Sequence, residues 1–319
     1  MLTKRERQLL QYLQDEFPLA ERPFALAARK SGMTEEEVLR VLARLKEHKV
    51  IRYLGAVFDP RRLGIASVLC AMDVPERRVS SVARAVSASD AVSHNYLREG
   101  RPNLWFTLSA SSPSRLKQAV RSIGRRTGIS PLCFASLKTF KIDARFALNG
   151  PGLPARAGKA KRGRARFDRE AVIRINRPFP LTRRPFAAAA SSLGIPASRL
   201  IRLIASYKDA GLIRRFGLII GHRQAGFVSN CMVVWRVPRA RMDKAVSVFR
   251  RTAQITHCYE RATAPGWDYN VYTMVHCRSR SECTGLVRRL ARAAGISEYK
   301  ELFTRREFKK TKTDLASIL

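Results

Sequence analysis

Apolar residues recur at helical spacing over 3–16 and 22–31. They do so again in TEEEVLRVLARLKEH (34–48), where Val38, Leu42 and Leu45 fall on one face. Thr34 with Glu37 three residues on forms a capping box, so this third helix begins at Thr34. The following stretch, VIRYLGAVFD, reads as a short β hairpin. Three helices and a β wing predict a winged helix-turn-helix. Beyond it the pattern alternates: a strand over 68–74, a helix over 76–89, strands over 91–98 and 103–110, a helix over 113–127 and a last strand over 132–142. That order, βαββαβ, is the ferredoxin-like sandwich.

The whole pattern then returns. Residues 17–28 are FPLAERPFALAA and residues 179–190 are FPLTRRPFAAAA, identical at nine of twelve positions. IRYLGAVFDPRRLGIAS (51–67) sits against IRRFGLIIGHRQAGFVS (213–229), pairing Gly55 with Gly217 and Gly64 with Gly226. His94 pairs with His257, Asn103 with Asn270 and Gly128 with Gly295, while the offset drifts from 162 to 167 through a longer loop in the second copy. The second βαββαβ series falls at 228–236, 239–252, 255–261, 268–277, 279–294 and 298–308. The chain is therefore a tandem duplication in the α+β class. Winged helices are expected over 1–62 and 169–224, and ferredoxin-like domains over 63–148 and 225–319. Residues 149–168, rich in Gly, Ala and basic side chains, are expected to form a flexible linker.

Hydrophobic residues make up 45% of the 319, ordinary for a globular protein, and no apolar run is long enough to span a bilayer. With no N-terminal signal pattern, the cytoplasm is the expected compartment and no membrane partner is expected. The six cysteines form no CxxC pair and no zinc spacing, so reduced and mostly buried thiols are expected. Charge changes the picture more. Sixty-one Lys and Arg against 25 Asp and Glu give a net +36, which draws polyanions: nucleic acid, or a small molecule bearing many carboxylates.

Two stretches carry candidate chemistry. Residues 92–108 read VSHNYLREGRPNLWFTL and residues 255–274 read ITHCYERATAPGWDYNVYTM. On a strand His94, Tyr96 and Arg98 share a face, and so do His257, Tyr259 and Arg261. Each trio sets an imidazole, a phenol and a guanidinium on one surface. Asn103 and Asn270 open the next strands, with Trp105 and Tyr272 two residues later. Trp267 and Tyr269 occupy the longer loop of copy two. His222 and Arg223 stand where copy one has Pro60 and Arg61. His276 reads as a strand-end residue and His48 as a partner of a helix C-terminus.

The plan resembles the leucine-responsive/AsnC regulators, twice over. The long motifs resemble one branch, the siroheme decarboxylases. SHNYLR…NLWFTL is similar to their first subunit. HRQAGFVSNCMVVWRVP, THCYERATAPGWDYNVYTMVH and ELFTRREFKK are similar to their second, so the chain looks like a fusion of the pair. The resemblance implies removal of the carboxyl groups from the two acetate arms of siroheme (at C12 and C18), in heme d1 or alternative heme biosynthesis. It implies no cofactor, because iron belongs to the substrate, and no dedicated metal site.

Under that resemblance His257 and His94 are general acids or ligands of the substrate's iron, and Tyr259 and Tyr96 are donors. Arg261 and Arg98 are carboxylate clamps. His222, Arg223, Asn270, Asn103, Trp267, Tyr269, Tyr272 and Trp105 are expected to line the substrate site. If one pocket works, copy two is favoured for its Gly-Trp-x-Tyr loop and His222. Glu260 stands where an arginine-rich form is expected, and alternation turns it away from His257. The halves are expected to form an internal pseudo-dimer by packing their sheets, and a homodimer of such chains is a further possibility. The rival functions are an AsnC-type DNA-binding regulator and a tetrapyrrole sensor without activity. DNA is not the expected partner, because the copy-one recognition helix opens with Glu35, Glu36 and Glu37, although the copy-two helix SRLIRLIASYKDA (198–210) carries no such cluster and could bind.

Overall fold

A computed structural model describes residues 2–142, 166–221 and 229–319. The elements run α1 (Lys4–Asp15), α2 (Pro23–Ser31), α3 (Glu35–Glu47), β1 (Ile51–Phe58), β2 (Ala66–Met72), α4 (Val79–Ser87), β3 (Val92–Arg98), β4 (Leu104–Ala110), α5 (Pro113–Thr127) and β5 (Leu132–Ile142). Copy two follows with α6 (Arg169–Asn176), α7 (Ala187–Ser191), α8 (Ala197–Asp209), β6 (Ile213–Ile220), β7 (Ser229–Trp235), α9 (Met242–Arg251), β8 (Ile255–Arg261), β9 (Val271–Cys277), α10 (Arg280–Ala294), β10 (Tyr299–Lys310) and α11 (Leu315–Ile318). None of the helices is long and apolar enough to cross a membrane, among the described residues. The expected linker lies outside the described residues over 149–165.

Two compact units form, each drawing on both copies: residues 1–63 with 145–226, and residues 64–144 with 227–319. The first holds the winged helices. Thr34 caps α3 as expected, its hydroxyl accepting from the Glu37 N–H at 3.2 Å while Glu37 accepts from the Thr34 N–H at 2.7 Å. Two of the α3 glutamates are spent within the fold, Glu35 on Arg22 and Glu36 on Arg183. His48 ends α3 and its Nδ1 lies 2.8 Å from the Arg44 carbonyl.

The wing differs from the expected hairpin. β1 is one strand, and it pairs antiparallel with β6 of the other copy, Gly55 opposite Gly217. A hairpin needs a tight turn within VIRYLGAVFD, and nothing in that stretch supplies one. A long-range partner satisfies the backbone instead. Gly217 has φ +156°, and a Cβ there would stand 2.6 Å from the Leu13 carbonyl oxygen, so α1 and β6 touch backbone to backbone. The repeated FPLxxRPF motif is core. Phe17 packs on Phe24 and Phe179 on Phe186, and Phe216 touches Phe17, Phe179 and Phe186 at 5.5–5.8 Å between ring centroids.

The second unit is a closed eight-stranded barrel in the order β10-β3-β4-β2-β5-β8-β9-β7, antiparallel throughout. Each copy contributes a ferredoxin-like quartet, β5-β2-β4-β3 and β10-β7-β9-β8. The fourth strands join them. β5 pairs with its own β2 over 132–135 and with β8 over 136–142; β10 pairs with its own β7 over 299–303 and with β3 over 304–310. The two sheets therefore share an interior, as packing predicts, and are also sewn along both edges, which packing alone does not predict.

The pleat divides the barrel residues into two sets. Outward-facing Cys231, Val233 and Trp235 join Phe249 and Val287 beneath α9 and α10, and Val68, Cys70 and Met72 do the same beneath α4 and α5. Inward-facing Ala71, Trp105, Phe134, Met232, Val234, Tyr272 and Leu302 form a separate cluster inside the barrel. All six cysteines carry free thiols, five buried and Cys133 exposed.

Candidate active site

Both His-Tyr-Arg rows face the barrel interior. Their neighbours settle this. Leu97 joins the outer core and Asn95 donates to the Ala83 carbonyl of α4 at 3.0 Å, so His94, Tyr96 and Arg98 point the other way. Cys258 joins the outer core of copy two, which turns His257, Tyr259 and Arg261 inward and Glu260 outward, as alternation predicts. The rings stack along each strand: 6.1 Å between the His94 and Tyr96 centroids, 6.0 Å between those of His257 and Tyr259. The guanidinium of Arg98 lies 5.1 Å from the Tyr96 ring, and that of Arg261 lies 4.8 Å from Tyr259.

With every neighbouring pair antiparallel, β3 and β8, four places apart in the ring of eight, run in the same direction. His94 and His257 therefore stand at one end of the barrel and Arg98 and Arg261 toward the other. The arginine end is filled. Trp105 stacks on Phe134 at 5.6 Å, Trp267 closes over both, and the Trp267 indole donates to the Tyr272 hydroxyl at 2.9 Å. Lys300 lies 5.2 Å from the Trp267 ring and 5.4 Å from that of Tyr269. The histidine end is half-exposed at both imidazoles.

Each arginine reaches into the opposite copy. Arg98 donates from Nη1 to the Leu302 carbonyl at 3.1 Å and the Thr304 hydroxyl at 3.0 Å; Arg261 donates from Nη1 to the Phe134 carbonyl at 3.0 Å. Arg98 is 4% exposed, its Nε is buried without a hydrogen-bond partner, and among the described residues it has no ion pair. Burial pulls its guanidinium down to about 10. A buried cation lacking a counter-charge is costly, and a carboxylate arriving there would offset that cost.

Several expected lining residues are employed otherwise. The Asn103 amide donates to the Val74 carbonyl and accepts from its N–H, both at 2.9 Å; Asn270 does the same to Val237 at 2.9 and 2.8 Å. Both amides, expected to line the substrate site, brace strand ends. Trp105, Tyr272 and Trp267, expected to line the substrate site, are buried together in the barrel plug. Tyr269 packs against Trp267 at 4.9 Å and is half-buried. His222 and Arg223 lie outside the described residues.

Other groups were not legible in the motifs. A β-bulge precedes each histidine: Ser93 is the extra residue between Val92 and His94, and Thr256 between Ile255 and His257. The bulge sets a hydroxyl on the imidazole. Ser93 Oγ lies 2.9 Å from His94 Nδ1 and Thr256 Oγ1 lies 2.8 Å from His257 Nδ1. The strands joined across the copies add further neighbours. Lys310 stands opposite His94 and Glu307 opposite Tyr96, whereas Ile142 stands opposite His257 and Thr139 opposite Tyr259. Directly opposed residues share a face, so the copy-one row meets charge, while in copy two His257 meets the aliphatic Ile142 and Tyr259 the uncharged Thr139.

Known proteins give this arrangement its place. The AsnC-like ligand binding domain family matches residues 62–141 and 224–309, and the siroheme decarboxylase NirDL-like HTH domain family matches 6–52 and 168–214. The siroheme decarboxylase NirDL subunit of Paracoccus pantotrophus is 34% identical, over 97% of this chain and 97% of its own length. The chain belongs to the siroheme decarboxylase family. The siroheme decarboxylase beta subunit of Methanosarcina barkeri is 40% identical, over 42% of this chain but 88% of its own length, so one subunit there spans about what one copy spans here. The crystal structure of the siroheme decarboxylase NirDL in co-complex with an iron-uroporphyrin III analogue matches with TM-score 0.73 and 28% identity, covering 98% of this chain and 94% of that one. The fusion inferred from the repeats is thus a form the siroheme decarboxylase family itself contains.

Proposed function

We propose that this chain decarboxylates siroheme, with an acetate arm of the macrocycle entering the histidine end of the barrel. The observation that carries this is the doubled, inward-facing His-Tyr-Arg row, its histidines together at one half-exposed end. An eight-stranded interior holds side chains or one small ligand, and the half-exposed histidine end is the way in for an acetate arm.

The chemistry sorts the two rows. In each turn the bond between the acetate carboxyl carbon and its methylene breaks. Carbon dioxide leaves, and the electron pair stays on the methylene, conjugated with the macrocycle. One proton then forms the methyl group, so two turns release two carbon dioxide molecules and consume two protons. A carboxylate beside Ile142 and Met274, which both stand opposite His257, loses hydration, while neutral carbon dioxide does not suffer there. An environment that disfavours the charged ground state more than the transition state lowers the barrier. His257 is thus the proton donor, with Tyr259 beside it. On the other row Lys310, Arg98 and His94 hold the carboxylates that are kept, or the substrate's iron. No cofactor beyond that iron is required.

The halves act as an internal pair. Because the barrel closes within one chain, no second copy is needed to complete it. Six free thiols suit a reducing compartment, the cytoplasm. Anaerobic incubation of the purified chain with siroheme, read by mass, tests the function. Loss of two carboxyl groups is expected. Tight binding with unchanged mass would replace the enzyme with a tetrapyrrole sensor.

A further inference from the structure

The copies also differ at a polar pair deeper in the fold of each sheet. In copy one, Ser67 faces Ser109 across β2 and β4; in copy two, Asn230 faces His276 across β7 and β9. His276 is buried, and its Nε2 lies 3.0 Å from Thr256 Oγ1, the hydroxyl that also meets His257 Nδ1 at 2.8 Å. An unbroken chain therefore runs His276–Thr256–His257. Copy one stops at Ser93–His94, since a serine stands where the second imidazole would be.

We propose that His276 is a positioning residue for His257, acting through Thr256 to keep the His257 proton on Nδ1 and leave Nε2 for the substrate. This deepens the decarboxylase reading and rests on it for its catalytic meaning. The hydrogen-bond inventory carries the argument. A threonine hydroxyl has one proton to give and two lone pairs to offer. If it donates to His276 Nε2, it must accept from His257 Nδ1–H. If it donates instead to the Met274 carbonyl at 3.5 Å, the longest of its contacts, both imidazoles must donate to it. Both arrangements place a proton on His257 Nδ1. Only donation toward His257 itself removes it.

The first arrangement is the one that serves proton transfer. An imidazolium at 257 gives Nδ1–H to Thr256 and presents Nε2–H to the methylene. After transfer the neutral ring keeps the same Nδ1–H bond, so nothing reorients. A partner that fixes the tautomer of a working histidine in this way is a recurring second-layer device. At His94 the hydroxyl is that of Ser93, and Ser109 stands where copy two has His276. The proton-donating role thus falls to copy two on hydrogen bonding, independently of its loop.

Proton-detected long-range ¹⁵N spectra of the full-length, histidine-labelled chain read the tautomer directly, and a chain with five histidines can be assigned by single substitutions. The neutral form of His257 is expected to carry Nδ1–H in the parent and in Thr256→Ser, and to shift toward Nε2–H in Thr256→Val and His276→Phe. With siroheme, Thr256→Val and His276→Phe are expected to lose roughly tenfold to a hundredfold in kcat with little change in KM, the range for partners of functional histidines, and Thr256→Ser to restore it. A His257 tautomer that is the same in all four proteins would overturn the proposal, as would full turnover in Thr256→Val. Absent turnover in the parent, with the tautomer shift intact, would instead strike the decarboxylase reading and leave the hydrogen-bonded chain standing.

Discussion

Replacing Arg98 with methionine separates a binding cation from a structural one. The guanidinium is 4% exposed and is pulled from an ordinary 12.5 to about 10 by burial. At about 1.4 kcal/mol per pH unit, the charged form bears a penalty of about 3 kcal/mol. Arg98→Met removes that penalty and adds roughly 1.5–3 kcal/mol from burying an apolar side chain. Against this, it loses the bonds to the Leu302 carbonyl and the Thr304 hydroxyl, about 1.5–3 kcal/mol each from a charged donor. The terms nearly cancel, so stability is expected to stay within about 2 kcal/mol of the parent. Binding should not cancel. Loss of one partner of a desolvated charge pair costs about 2–5 kcal/mol, or roughly thirtyfold to several thousandfold in Kd. Anaerobic absorbance titration with siroheme, beside denaturant unfolding, measures both. Stability down by more than about 4 kcal/mol with unchanged siroheme affinity would refute the reasoning and make Arg98 a strut between β3 and β10.

Further outcomes follow from the packing. Gly217→Ala is expected to destabilise the chain by about 1–3 kcal/mol, because its φ of +156° and the Leu13 carbonyl both oppose a side chain. Gly55→Ala, whose nearest contact would be 3.5 Å, should be far milder; urea midpoints compare them. Trp267→Ala should cost about 3–5 kcal/mol of stability by opening the barrel plug, which thermal unfolding reads, and more than it costs siroheme affinity. Lys312, in the segment that follows β10, is pushed down to about 8 by burial. The unfolded chain therefore binds more protons than the folded one between about pH 8 and 10.5, and this lysine makes stability rise with pH across that window. In Lys312→Met that part of the rise should vanish, as denaturant midpoints at pH 7 and pH 10.5 would show.

What was legible in the sequence was local. The capping box fixed the start of α3, and the alternation of His94, Tyr96 and Arg98 fixed the face they share, because both depend only on residues a few positions apart. What was illegible depends on partners far along the chain. The wing strand β1 finds β6, and β5 and β10 divide their lengths between two quartets; periodicity says that a strand exists, not what it pairs with. For β10 the twelve-residue length was a sign, longer than one neighbour needs. The bulges at Ser93 and Thr256 add one residue without altering composition, so the hydroxyls on the histidines went unseen. Asn103 and Asn270 show the limit of motif reading: repetition marked them as important, and the backbone of Val74 and Val237 turned out to be what they serve.

The seat of the chemistry can be tested most directly by single-turnover decarboxylation of siroheme, comparing His257→Ala with His94→Ala at saturating protein. Removal of a general acid typically costs about a hundredfold to ten-thousandfold in rate. The expected result is that loss in His257→Ala, with siroheme still bound, and weakened binding with a largely preserved bound-state rate in His94→Ala. Equal rates for the parent and His257→Ala would contradict His257 as the proton donor of the reaction.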